Sequence, residues 1–357
     1  MVAYRKLPSG KWQASVSMPQ KLPNGKPRRV TKTHQLRGVV RDWATKLESQ
    51  IAAGQFTDPR SGDMVLADWH EQWRAGRLVA TSTMDRDESH WRVHIEPRWG
   101  GYPLNTITKQ EIRLWMKKML AGGVGVPTVR GAVTTLSAMM HAAIDADLIG
   151  ANPVAGVKLP RADAKPIFWW THDEADKITA ELDGQNQLMV ELDMKCGLRL
   201  GELLGLRCEY VQEIQDGRLV IHVVGVQTRH GWREYPKSLM SRRPVPVPPE
   251  LIDRLREHVR NKRPKDIVFS TPSGSAWDDR NWSRWVFEPA LSAAGVTRGT
   301  PHDMRHTAAS WLVQAGVKLQ VVQVLLGHES YRTTQRYAHL APDSLDEVIT
   351  AWEGMET

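Results

Sequence analysis

The chain has 357 residues, 41% hydrophobic and 25% charged, and carries a net charge of +8 with a pI near 9.5, which describes a globular protein of two or three domains with an anionic partner. No apolar run approaches the roughly 18 residues of a membrane span, and the Met1-Val2-Ala3-Tyr4-Arg5-Lys6 start lacks the apolar stretch of a secretory signal. Cys196 and Cys208 fit no metal-ligand spacing and point to a reducing cytoplasm.

Residues 1–41 hold ten Lys or Arg and no Asp or Glu, a distribution that suits contact with nucleic acid. Within this stretch Trp12, Ala14, Val16 and Met18 alternate with polar residues, the period of a half-buried strand. Asn24-Gly25 signals a hairpin turn, Arg28 to Thr33 reads as a second, basic strand, and a helix is expected from about Gly38 to Ala53. Residues 1–60 are therefore expected to form a small cationic sheet with a helix, one of the shapes that can enter a DNA groove.

Residues 64–152 read as helical. Leu66, Trp69 and Trp73 recur at helical spacing, Thr108 and Glu111 make a capping box, and Val129, Val133, Leu136, Met140 and Ile144 form an apolar stripe. The proline-rich, basic stretch 153–166 reads as a linker. Residues 167–357 are mixed: Thr171 and Glu174 suit a capping box, Leu219 to Val224 and Arg243-Val245-Val247 read as strands, and helices dominate after Asp279. The fold class is thus multidomain, mainly α with small β-sheets.

The residues with chemistry fall in this last segment. Thr300, Pro301 and Asp303 suit the N-cap, first and third positions of a helix, which puts His302 in its first turn and Arg305 on the same face. An anion there would meet free backbone N–H groups and the positive end of the helix dipole. His302 and His306 are four apart, but no Glu-rich or Cys partner accompanies them, so no metal site is expected. Gly197 reads as a helix stop, and Arg199, at the start of the next helix amid apolar residues, must be paired or must serve a ligand. Glu202 lies one turn on, so a structural ion pair and a ligand-binding role both stand open. His328 follows the helix-stop Gly327, and Tyr337 comes nine residues later on a short helix. Two arginines, two histidines and a tyrosine suit metal-free phosphodiester chemistry. The arginines clamp phosphate oxygens, the tyrosine attacks, and the histidines move protons.

The order Gly-Leu-Arg-x-Gly-Glu, His-x-x-Arg-His-Thr, Leu-Leu-Gly-His and Arg-Tyr-x-His, spread over 199–337, resembles the tyrosine recombinase (phage integrase) family. The resemblance implies that Arg199, Arg305, His302 and His328 form the phosphate pocket and that Glu202 positions Arg199. It implies that Tyr337 attacks phosphorus, leaving a 3′-phosphotyrosyl link and a free 5′-hydroxyl. The family also uses a hairpin Lys as general acid, and the best match is Lys237 in Tyr235-Pro236-Lys237-Ser238, where Ser stands in place of the usual Thr. By the same resemblance 1–60 is an arm-type DNA-binding domain, 64–152 a helical core-binding domain, 153–166 a linker and 167–357 the catalytic domain, mixed α+β. Lys11, Lys26, Arg28, Arg29 and Lys32, with Lys158 and Arg161 in the linker, are the expected DNA contacts.

The implied partners are double-stranded DNA at core- and arm-type sites, further copies of the chain in a tetramer, a directionality factor and a DNA-bending host protein. No cofactor, metal or membrane is implied, and the place of action is the bacterial cytoplasm. A tail helix over 343–355, with Leu345, Val348, Ile349 and Trp352 on one stripe, is expected to dock either on a neighbouring protomer or on its own domain. Two other readings stay open at this point: a type IB topoisomerase, which shares the pocket, and a DNA-binding relative without activity.

Overall fold

The computed structural model describes residues 2–21, 27–52, 61–161, 166–235 and 242–341. The chain divides into two compact units, Met1–Asp163 and Ala164–Thr357. Among the described residues no helix is long and apolar enough to cross a membrane.

In the first unit β1 (Val2–Lys6), β2 (Trp12–Lys21) and β3 (Pro27–His34) form an antiparallel sheet in that order. The alternation along β2 buries Ala14, Val16 and Met18. Ala14 and Val16 pack with Val40, Ala44 and Leu47 of the Arg37–Ala52 helix. The strand β1 was not foreseen. Its residues from Ala3 to Lys6 are all exposed, so no apolar alternation marks it, and backbone pairing with β2 defines it instead. The expected Asn24-Gly25 turn lies outside the described residues.

A second core in this unit gathers Trp69, Trp91, Trp99 and Trp115 with Val129, Val133, Leu136 and Met140. It is built by the helix Leu66–Ala75, the helical run of Trp91–Ile95 into Glu96–Trp99, and the helices Lys109–Ala121 and Val126–Asp145. The Thr108–Glu111 capping box starts the third of these. Val154 is buried in this core, Val157 and Leu159 pack against it, and Arg130 Nη1 donates to Pro160 O at 3.0 Å. The first half of the 153–166 stretch is therefore held on the helical core.

In the second unit β4 (Val211–Glu213), β5 (Leu219–Val223) and β8 (Arg243–Pro246) form one sheet, and β6 (Gly225–Thr228) pairs with β7 (Gly231–Glu234) as a separate hairpin. Pro244 and Pro246 cannot donate to a ladder on both sides, which suits the edge position of β8. Helices Gly184–Cys196 and Pro301–Gln314 pack on one another and on this sheet's core, which centres on Trp170, Leu192, Ile221, Val245 and Met304. Leu319–Leu326 and a 3-10 turn, Gln335–Leu340, complete the described part.

Candidate active site

Arg305 is placed by a helix start that is local in sequence. The Thr300 N–H donates to Asp303 Oδ2 at 2.7 Å, the capping box closes, and Pro301 occupies the first turn. Arg305 then projects from the second turn and is 3% exposed. Its Nη1 donates to Gly197 O at 2.8 Å and its Nη2 to Leu326 O at 2.6 Å.

Gly197 ends the Gly184–Cys196 helix in the left-handed region, at φ 64°. A Cβ there would meet Leu326 Cδ2 at 2.6 Å and Ala308 Cβ at 3.2 Å, so both the backbone conformation and the packing require glycine. The turn delivers Arg199 to the N-cap of the short Leu200–Leu204 helix. There Glu202 accepts from the Arg199 N–H at 2.9 Å and from Arg199 Nη1 at 2.8 Å. Gly201 lets the β6–β7 hairpin lie against this helix, since a Cβ would come 2.7 Å from Gln227 O.

Glu202 is 3% exposed and holds more than Arg199. Arg243 donates Nη2 to its Oε2 at 2.9 Å and Nη1 to its Oε1 at 3.2 Å, and Tyr235 Oη donates to Oε1 at 3.1 Å. Burial opposes ionisation of Glu202, but the Arg243 hydrogen bonds and charge, followed by those of Arg199, outweigh it and hold the carboxyl below its usual range.

The end of the Leu319–Leu326 helix organises all three arginines. Leu325 O accepts from Arg243 Nε at 2.5 Å, Leu326 O from Arg305 Nη2 at 2.6 Å, and Gly327 O from Arg199 Nη2 at 3.2 Å. The last carbonyls of a helix lack intrahelical donors and sit at the negative end of its dipole. Three successive carbonyls thus orient three guanidiniums. Gly327, left-handed at φ 66°, turns the chain out of the helix, and His328 follows, its Nδ1 2.8 Å from Thr334 Oγ1.

Three guanidiniums face one ionised carboxylate, an excess of two positive charges. Burial, which favours the uncharged form, pushes the carboxyl of nearby Asp193 well above its usual range in spite of Arg305. Burial, and then Arg199, lower the Arg305 guanidinium to about 10, which leaves it charged near neutrality.

Tyr337 is 2% exposed, its ring packed with Ala309, Val313, Val322 and Leu326. Burial raises its hydroxyl to about 12, while Arg305 and Arg336 pull the other way. Its hydroxyl lies 2.5 Å from His306 Nδ1. The His302 and His306 rings meet edge to face, 4.8 Å apart. Burial, then the Arg305 charge, lower His302 and bring His328 to about 4; burial, then His302, bring His306 to about 4. All three imidazoles are accordingly neutral at physiological pH.

The structure therefore brings Arg199, Glu202, His302, Arg305, His328 and Tyr337 to one locality. Lys237 lies outside the described residues, as do Lys26 and the tail 343–355; β7 ends at Glu234, three residues before Lys237. In the first unit Lys11, Arg29 and Lys32 are exposed. Register separates two of them: Lys32 pairs with Ala14 and shares the helix-covered side, whereas Arg29 pairs with Ser17 on the open side. Arg28 belongs to the backbone of β3. The open side also carries Arg5, whose Nε donates to Gln13 Oε1 at 2.7 Å, a cation the sequence reading missed along with β1. Lys158 and Arg161 are exposed. Also missed were the parts played by Arg243, which was read only as a strand marker, by Tyr235, and by His306, which was considered only for a metal.

Residues 169–343 match the Phage integrase family. The integrase of Mycobacterium phage L5 is 26% identical, over 96% of this chain and 94% of its own length. Among solved structures, the Tn1549 transposon integrase in complex with transposon right end DNA superposes with a TM-score of 0.67 at 20% identity, covering 82% of this chain and all of that one. A lambda integrase tetramer bound to a Holliday junction does so with a TM-score of 0.60 at 20% identity, over 96% and 95% of the two chains.

Proposed function

The chain is a tyrosine recombinase of the phage integrase family, an enzyme of site-specific DNA recombination, and from that premise we propose that the arginine-histidine-tyrosine assembly of the second unit is its active site. The observation that carries this is the row of carbonyls 325–327, which aims Arg243, Arg305 and Arg199 around His302, His328 and Tyr337. A phosphodiester has one negative charge and its pentacoordinate transition state two, so an excess of two positive charges favours the transition state over the bound substrate. Arg199 and Arg305 hold the scissile phosphate, and Glu202, itself braced by Arg243, holds Arg199. His302 and His328 complete the pocket as neutral groups. Tyr337 attacks, and Lys237 protonates the leaving 5′-oxygen. The product of the first step is a 3′-phosphotyrosyl link, which a second strand's 5′-hydroxyl resolves.

The partner is double-stranded DNA, and the working form is a tetramer, as in the lambda integrase bound to a Holliday junction. Residues 64–152 serve as core-binding domain, 1–60 as arm-binding domain and 153–166 as the connection between core-binding and catalytic domains, with a directionality factor and a DNA-bending protein as accessory partners. Arg5, Arg29 and Lys32 on the first sheet, Lys11 in the turn between β1 and β2, and Lys158 and Arg161 beyond the helical core, supply phosphate contacts. The test is a nicked suicide substrate carrying the attachment core, followed by a paired-site assay. Covalent capture and recombination between two sites are the expected results. Capture with relaxation of supercoils but no two-site product would make the chain a topoisomerase, and the absence of both would make it a binding protein.

Removal of residues 1–60 should leave core-site binding and cleavage within a few fold of the full chain, because the sheet has its own core, separate from that of the helices. Integration into paired attachment sites should fail. Affinity for an arm-type site should be lost in the truncated protein, and in the full chain should fall steeply with salt as counterions are released. Arm-site affinity that survives the deletion would remove the assignment of 1–60.

A further inference from the structure

The attacking hydroxyl needs to lose a proton, and the structure gives that hydroxyl a partner: Tyr337 Oη lies 2.5 Å from His306 Nδ1. Their rings are 5.9 Å apart and tilted by 50°, so the hydrogen bond runs edge to hydroxyl rather than through stacking. The other histidines are committed elsewhere. His328 Nδ1 meets Thr334 Oγ1 at 2.8 Å, and His302 abuts the His306 ring. Asp303 is occupied by the Thr300 backbone and hydroxyl, each at 2.7 Å.

We propose that His306 is the general base of strand cleavage: its Nδ1 takes the proton from Tyr337 Oη as that oxygen attacks phosphorus, and gives it back when the tyrosine leaves on rejoining. This rests on Tyr337 being the nucleophile. In the first step the Tyr337 O–H bond breaks, Oη–P forms and P–O5′ breaks. The electron pair left on O5′ takes a proton from the ammonium group assigned to Lys237. His306 ends as imidazolium, the phosphotyrosyl diester keeps one negative charge, and the steps reverse on rejoining.

The surroundings suit this direction of transfer. Burial, His302, Arg336 and Arg305 lower His306 and outweigh Asp303, which pulls the other way, so the imidazole stands neutral and ready to accept. The accepting tautomer carries its proton on Nε2. Tyr337, buried and with its hydroxyl pushed up to about 12, ionises too little by itself at neutral pH to supply the nucleophile. The two adjacent histidines thereby divide the work, His302 toward the phosphate and His306 toward the tyrosine.

The experiment is single-turnover cleavage of a nicked suicide substrate by the full chain, as His306→Ala and His306→Asn, each with Tyr337 or with a trifluorotyrosine that ionises near neutral pH at position 337. General-base loss predicts a drop of roughly 10²–10³-fold in both variants. With the fluorinated tyrosine the variants should come within a few fold of the His306 protein, because the proton is already gone. Near-parental cleavage by His306→Asn, which keeps a hydrogen-bonding side chain but cannot take a proton, would reduce the residue to a spacer and overturn the proposal. So would a defect that persists with the fluorinated tyrosine, or loss of core-site binding in both variants. Tyr337→Phe separates the two ideas: if it still forms a covalent complex, the nucleophile assignment fails; if it does not and His306→Ala cleaves at the parental rate, only the base fails.

Discussion

Tyr337→Phe is expected to abolish covalent capture of a suicide substrate while leaving core-site affinity within about twofold. The ring, not the hydroxyl, does the packing: Tyr337 belongs to a cluster with Ala309, Val313, Val322 and Leu326 that phenylalanine fills equally. The hydroxyl's hydrogen bond is to His306, and losing one such bond costs about 1 kcal/mol. In a domain of this size that is a fall of roughly 2–4 °C in Tm. Chemistry, by contrast, loses the atom to which the attack is assigned. The control is Tyr331→Phe: Tyr331 is 42% exposed, six residues earlier, and its variant should cleave normally. Gel-shift affinity, thermal melting and trapped covalent complex on the same preparations decide the matter. A covalent adduct from Tyr337→Phe, or its loss from Tyr331→Phe, would move the nucleophile.

The features legible in the sequence are those fixed by neighbours along the chain. Thr300, Pro301 and Asp303 determine a helix start, so the placement of His302 and Arg305 followed from three adjacent residues. Arg199 and Glu202 are one turn apart, and their ion pair follows from that spacing. Gly197 and Gly327 announce helix ends and take up the left-handed conformation such ends use. Illegible were the contacts made by residues far apart in the chain. Nothing near Arg243 says that its guanidinium crosses to Glu202, 41 residues away, and to Leu325 O, 82 residues away. The Leu-Leu-Gly-His motif reads as a helix stop, yet its physical work is to present three carbonyls to three arginines from three different elements. His306 shows the same limit: its spacing to His302 suggested at most a metal pair, whereas its contact is with a tyrosine 31 residues on. The strand β1 failed for another reason. An exposed strand has no buried face to impose alternation, so only the partner strand specifies it.

The second large effect is expected at Glu202, and it separates stability from catalysis. Glu202→Ala takes the carboxylate away from Arg243, which is 5% exposed, and from Tyr235 and Arg199 at once. Breaking a buried pair from one side costs about 3–5 kcal/mol, and at roughly 2–4 °C per kcal/mol the catalytic unit should melt some 10 °C lower. Arg199, held then by the Gly327 carbonyl alone of the contacts described above, loses its aim, and cleavage should fall by ~10²–10³-fold, the usual consequence of removing one oxyanion donor. Adding Arg243→Met removes the desolvated charge, so the double variant should regain much of the Tm and none of the cleavage. The pH dependence carries the same signature. Glu202 has a folded-state pKa below its unfolded value, so its contribution is fully present above the unfolded value of about 4.3 and drains away as pH falls through the lower folded one. His306 and His328, lowered to about 4, withdraw stability earlier, between about 6.5 and 4. Melting curves of the parent should therefore decline in two stages on acidification, and Glu202→Ala should lose only the second. If the double variant recovers cleavage along with Tm, Glu202 acts by holding the fold together and not by aiming Arg199.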